Sequence, residues 1–174
     1  MAIATKNQAQ HETVTIPKSE YARLKQIERE HGENQARNEA FTAHMRKMQK
    51  SRDDVRSVLG SAGFSVTEPA TVRRATWRGI YTSTVDIMAK GNGARVALEF
   101  AGGSATLFDW IALQCSKADI KIVVAEGWVP ENLAKRAADD GITLVKPEDA
   151  ARYLSRRIAA LPKKNGATGG FLRR

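Results

Sequence analysis

The sequence predicts an α/β protein: a central mixed sheet flanked by helices, preceded by a long N-terminal helical or coiled-coil arm. Three observations lead there. Apolar or seam positions recur in alternating steps of three and four from Leu24 to Leu59. A Gly91-Asn92-Gly93 turn separates two stretches of strand character. Two continuous apolar runs, Ile120 to Ala125 and Ile142 to Val145, then alternate with helical segments, as strands buried on both faces do.

Taken in order, residues 1–12 are polar and aperiodic and are expected to be disordered. The arm is expected over 13–50. It begins with Thr13-Val14-Thr15-Ile16 as an extended lead-in and becomes helical at Pro17, a residue tolerated in a first helical turn. Its seam runs through Leu24, Ile27, His31, Asn34, Asn38, Phe41, Met45, Met48, Arg52, Val55 and Leu59. The centre of that seam is polar, and Gly32 costs about 1 kcal/mol relative to alanine in a helix. Two readings fit: a coiled-coil arm that brings two chains together, or two helices broken near Gly32.

A compact α/β domain is expected over 51–161. Helix Ser51 to Ala62 is closed by Gly63, and strand Phe64 to Thr67 is ended by Pro69. A basic connection, Arg73 to Gly79, leads to a strand over Ile80 to Ala89, then the turn, then a returning strand over Arg95 to Phe100. Helices are predicted at Thr106 to Lys117 (with Leu107, Trp110, Ile111 and Gln114 on one face), Pro130 to Asp140 and Pro147 to Leu161. Residues 162–174 form a basic, glycine-rich tail expected to be flexible.

Charge narrows the function classes. The chain of 174 residues carries a formal net charge of +9 with a pI near 9.9, a balance that attracts polyanions. The cations cluster. From Thr71 to Arg95 lie Arg73, Arg74, Arg78, Lys90 and Arg95 against the single acid Asp86, and Trp77 stands between arginines. From Arg152 onward, Arg156, Arg157, Lys163 and Lys164 follow without an acid. These residues, with Trp77 to stack on bases or merely to cap the sheet, are the candidate nucleic-acid contacts. DNA is the expected nucleic acid, and a second copy or a partner chain on the arm is the expected protein contact. No apolar run is long enough to span a membrane, and Met1 to His11 lacks the apolar core of a secretory signal, so a cytoplasmic protein without membrane contact is expected. Cys115 is the lone cysteine, which rules out an internal disulfide and a cysteine-based zinc site.

Two carboxylates stand in apolar strands, Asp86 in Thr84 to Ala89 and Glu99 in Val96 to Ala101. A carboxylate in such a setting needs a pairing cation or a metal. Converging, the two would suit magnesium, which takes hard oxygen ligands. Paired with Arg73, Arg74 or Arg95, they would serve structure alone.

A helix ending in Gly63-Phe64-Ser65-Val66, an Asp-bearing strand, a hairpin and a Glu-bearing strand together resemble the PD-(D/E)XK nuclease superfamily, nearest its Mrr-like restriction-endonuclease branch. The likeness covers Ser51 to Leu154. It implies a restriction-endonuclease-like fold in which Asp86 and Glu99 hold the metal and a lysine two residues past the glutamate orients the attacking water. Ala101 occupies that lysine's place, and Lys117 on the neighbouring helix is the candidate for a displaced one. An alanine cannot stabilise charge developing on a scissile phosphate. Three functions follow as expectations. The first is a non-catalytic DNA-binding protein on a degenerate nuclease scaffold, needing no cofactor and serving plasmid or phage processes among others. The second is a magnesium-dependent nuclease using Asp86, Glu99 and Lys117. The third is an assembly or adaptor protein acting through its arm.

Overall fold

A computed structural model describes residues 17–76, 79–102, 105–127 and 129–162. The expected extended lead-in at Thr13 to Ile16, the polar terminus, and the tail residues Lys163 and Lys164 lie outside the described residues, as do Trp77 and Arg78. The chain divides into two units, Met1–Thr42 and Ala43–Arg174.

One helix, α1 (Lys18–Ser61), runs through Gly32 without a break, so the reading of two helices is set aside. A single glycine penalty is small in a helix of 44 residues. Every residue from Pro17 to Ala43 is exposed. Burial starts at His44 and Met48, earlier than the expected domain boundary at 51, and Val55 and Leu59 are fully buried. Ser51 Oγ donates to the Pro147 carbonyl at 2.8 Å, and Lys47 pairs with Glu126 and Glu148. Gly63, at a φ of 76°, closes the helix as expected, while the Phe64 amide donates to the Leu59 carbonyl.

The sheet strands are β1 (Ser65–Thr67), β4 (Ile87–Gly91), β5 (Ala94–Ala101), β6 (Ile120–Ala125) and β7 (Ile142–Val145), ordered β1-β4-β5-β6-β7. The β1-β4-β5 portion is antiparallel and β5-β6-β7 is parallel, so the sheet is mixed as the sequence predicts. The turn between β4 and β5 places Asn92 and Gly93 at positive φ. A Cβ on Gly91 would come within 2.9 Å of the Gly63 carbonyl and of Phe64, so only glycine fits that approach.

Two strands depart from expectation. The basic connection is itself a strand, β2 (Ala70–Thr76), paired with β3 (Gly79–Val85) in a separate two-stranded ribbon. The strand expected over Ile80 to Ala89 is broken at Asp86, where the chain leaves the ribbon and enters the sheet. Ala70, Val72 and Val85 give the ribbon a buried side, packed with Trp110 and Leu113 of helix α2 (Leu107–Cys115). That burial, rather than alternation alone, makes the basic segment a strand.

Helices cover both faces. Ile87, Val96, Leu98, Ile122 and Val124 pack with Val55 and Leu59 of α1 and with Leu154 of helix α4 (Ala150–Ala159). Ala97, Val123 and Ile142 pack on the other side with α2 and with Ala137 of helix α3 (Glu131–Asp139). Trp110 and Cys115 are core residues as expected, whereas Leu107 is half exposed at the start of its helix. Among the described residues no helix is long and apolar enough to cross a membrane.

Candidate nucleic-acid interface

A groove of about 330 Å³ opens between the ribbon, the β4-β5 hairpin and the C-terminal end of α2. Four cations line it: Arg73 from β2, Lys90 from β4, Arg95 from β5 and Lys117 just past α2. Thr67, Thr71 and Ser116 add hydroxyls, and among the described residues no carboxylate lines the groove. Lys90 and Arg95 face each other in the antiparallel register, which brings two cations together without a neutralising partner. Among the described residues, none of the four cations forms an ion pair. A nearby acid, Asp119, accepts the backbone amide of Arg95 at 2.7 Å and keeps its negative charge there. Like charges gathered in a concave surface focus field and favour an anionic occupant.

Lys117 has a φ of 51°, the left-handed region that favours glycine. Its place in the chain explains the conformation. Ser116 caps α2, and the residue after a cap commonly turns left-handed to end the helix. A lysine here carries strain that glycine would relieve, and it lines the groove.

The acids lie elsewhere. Extending the β4-β5 register one step beyond Ile87 and Leu98 sets Asp86 opposite Glu99. Glu99 is buried on the α2 face of β5, 7% exposed. Burial, with the negative charges of Asp86 and Asp109, pushes its carboxyl up to about 8, so it holds a proton at neutral pH. Asp86 is already satisfied: it accepts the Phe100 amide at 2.8 Å and pairs with an Arg52 guanidinium nitrogen at 3.0 Å. The other Arg52 nitrogen reaches Glu68 at 3.0 Å, and the guanidinium lies over the Phe100 ring at 4.9 Å. Glu68 precedes β2 and Asp86 follows β3, so one arginine of α1 ties down both strands at the base of the ribbon.

The arginine that holds Asp86 is Arg52, a position of the helical seam, and not Arg73, Arg74 or Arg95. Asp109 gave a signal that sequence reasoning did not use. It forms a capping box with Thr106, whose amide donates to Asp109 at 2.6 Å, and the Thr-x-x-Asp spacing ahead of an apolar run marks it.

Lys117 is not brought to the acids. It lines the groove with Arg95, four residues before Glu99 on β5, or roughly 13 Å along a strand. The displaced-lysine role therefore has no geometric support, and Ala101 is a buried core residue. The residues present suit magnesium poorly, since Asp86 is paired with a cation and Glu99 favours its proton. Among the described residues no group of three or more His, Cys, Asp or Glu side chains is arranged to hold a metal ion.

The remaining candidates separate. Arg74 is exposed on the ribbon opposite Tyr81. Arg156 and Arg157 are exposed on α4, which covers the opposite face of the sheet, and Arg156 lines a second groove with Lys146, Arg152 and Tyr153. In that second groove Asp149 pairs with Arg152, so its charge is partly neutralised.

No model of a known protein family matches the chain, and no curated protein matches it. Two solved structures align with part of it. Protein VC1899 from Vibrio cholerae is 15% identical with a TM-score of 0.48, over 63% of this chain and 32% of that one. AF1548, a protein of unknown function, is 16% identical with a TM-score of 0.36, over 58% of this chain and 56% of that one. The chain thus spans about a third of the first protein and just over half of the second.

Proposed function

We propose that this chain is a non-catalytic nucleic-acid-binding protein, with DNA as its ligand, on a nuclease-like α/β scaffold that has lost its catalytic lysine. One observation carries the reading: Arg73, Lys90, Arg95 and Lys117 line one groove that, among the described residues, no carboxylate lines. A phosphodiester backbone is the anion such a groove suits, because each lysine or arginine that neutralises a phosphate releases condensed counterions. The strained Lys117 adds support, since a residue in a conformation that favours glycine lines the same groove with a cationic side chain. The acids contribute to architecture in this reading. Arg52 neutralises Asp86 and braces the ribbon, while Glu99 is kept protonated in the core.

The exposed Leu24, Ile27 and Phe41 of α1 support the further reading that the arm joins a second copy of the chain. A two-chain assembly would present two grooves to one DNA molecule and raise avidity through the linkage alone.

The test is a mobility-shift titration of labelled DNA at several salt concentrations, with and without magnesium. Binding should weaken steeply with salt. Changing Arg73, Lys90 and Arg95 together to alanine should flatten the slope of log affinity against log salt by about 2–3, close to one for each phosphate no longer neutralised. An unchanged slope would remove the groove from the interface. DNA shortened only when magnesium is present, and left intact by Asp86→Asn, would establish the nuclease reading instead.

A further inference from the structure

We infer that the β2-β3 ribbon enters the major groove of duplex DNA, with its outer face against the base edges and the basic groove holding an adjoining phosphate. This rests on the proposed nucleic-acid binding and adds to it the reading element, the strandedness and the kind of duplex.

The ribbon has two distinct sides. Ala70, Val72 and Val85 are buried toward α2. By strand alternation Thr71, Arg73, Ile80, Thr82 and Thr84 share the opposite side, and the bulk of that side is exposed. The pairing register agrees with the grouping, since Arg73 faces Thr82 and Thr71 faces Thr84. Ile80, a large apolar side chain, is 73% exposed. From Ala70 to Val85 there is no Asp or Glu, so nothing on the ribbon repels a phosphate backbone. Arg73 and Thr71 belong to both the outer face and the basic groove, which makes the two surfaces continuous.

Geometry selects the partner. Two paired strands lie about 4.8 Å apart, and with side chains they match a B-form major groove about 12 Å wide while exceeding a minor groove about 6 Å wide. Threonine hydroxyls can donate to or accept from base edges, and threonine methyls and Ile80 suit the thymine methyl group found only in that groove. A-form RNA has a deep, narrow major groove that side chains cannot read. Single strands are held by stacking on aromatic platforms, whereas among the described residues this face presents threonines, an arginine and an isoleucine.

The experiment is a fluorescence-anisotropy comparison on the full chain, using a random-sequence DNA duplex pool, the corresponding single strands and duplex RNA of matched length. Duplex DNA should bind at least about tenfold tighter than either alternative. Methyl green, which occupies the major groove, should displace the protein, and netropsin, which occupies the minor groove, should not. Ile80→Glu and Thr82→Glu should each weaken duplex binding by about tenfold with the thermal midpoint unchanged. Should either variant unfold, the dye competition on the unaltered protein decides. Preference for single strands, equal binding of duplex RNA, or displacement by netropsin alone would overturn the inference. Binding that is lost with the groove cations yet indifferent to the ribbon variants and to methyl green would overturn the ribbon and leave the proposed function standing. No binding to any of the three nucleic acids would overturn both.

Discussion

Lys117 illustrates how a single residue can show a conflict between folding and use. Its φ of 51° is comfortable for glycine and strained for any residue with a Cβ. Lys117→Gly should raise stability by about 0.5–1 kcal/mol in a denaturant titration while weakening DNA binding and its salt dependence. A fall in stability on that change would mean the lysine has a structural role. Glu99 shows a different conflict. Its carboxyl sits well above the usual range, at about 8, because it is buried near Asp86 and Asp109. Between the ordinary carboxylate range and about 8 the folded chain keeps a proton that the unfolded chain has released, so stability falls as pH rises through that window. Below the window both states are protonated and the penalty is absent. Glu99→Gln keeps the neutral shape and removes the titration. The melting temperature of the variant should therefore match the parent near about pH 5 and exceed it near about pH 9. A gap of equal size at both values would take Glu99 out of the pH dependence.

At the level of elements, α1 and the ribbon carry the consequences. The segment of α1 before His44 has no residue buried, and Leu24, Ile27 and Phe41 are about half exposed or more. Helices without tertiary packing are marginal in water, so a seam of this kind gains most by covering itself on another chain. Replacing Leu24, Ile27 and Phe41 together by lysine should reduce the mass measured by sedimentation equilibrium to that of one chain. A mass unaltered by the three lysines would exclude the seam from assembly. The ribbon was hidden in the sequence because Thr71 to Thr76 is rich in threonine and arginine and has little apolar alternation. Only Ala70, Val72 and Val85 mark its buried side, and small residues are a weak signal. The break at Asp86 was hidden for a related reason: Ile80 to Ala89 alternates well enough for one strand, and the change of sheet follows from what packs against each half.

For the whole molecule, the sheet sorts the candidate residues into three places. The cationic groove and the acids share the α2 side of β5 but sit near opposite ends of that strand, and Arg156 and Arg157 ride on α4 across the sheet. The nucleic-acid residues named from charge therefore do not form one surface. Arg73, Lys90 and Arg95 do converge, and Lys117 joins them instead of the acids. The sequence placed Asp86 and Glu99 on the two strands flanking the hairpin turn, and the β4-β5 register, continued one step past Ile87 and Leu98, sets them opposite. What the sequence did not anticipate is Arg52, which arrives from a helix more than thirty residues before Asp86 and occupies the carboxylate.

By itself the sequence determined the properties that depend on neighbours along the chain. These are the helical character of the arm, the glycine that ends its helix, the Gly-Asn-Gly turn, the buried parallel strand at Ile120 to Ala125, and the excess of positive charge; β7, at the sheet edge, is only partly buried. Each follows from local geometry or composition, where a few residues settle the outcome. The tertiary structure alone decided which side chains meet. Register brought Lys90 beside Arg95, the end of α2 brought Lys117 to the same groove, and the packing of α1 brought Arg52 to Asp86. The last two meetings join residues tens of positions apart, and no local preference encodes them. They are set by which faces the sheet and its helices must bury together.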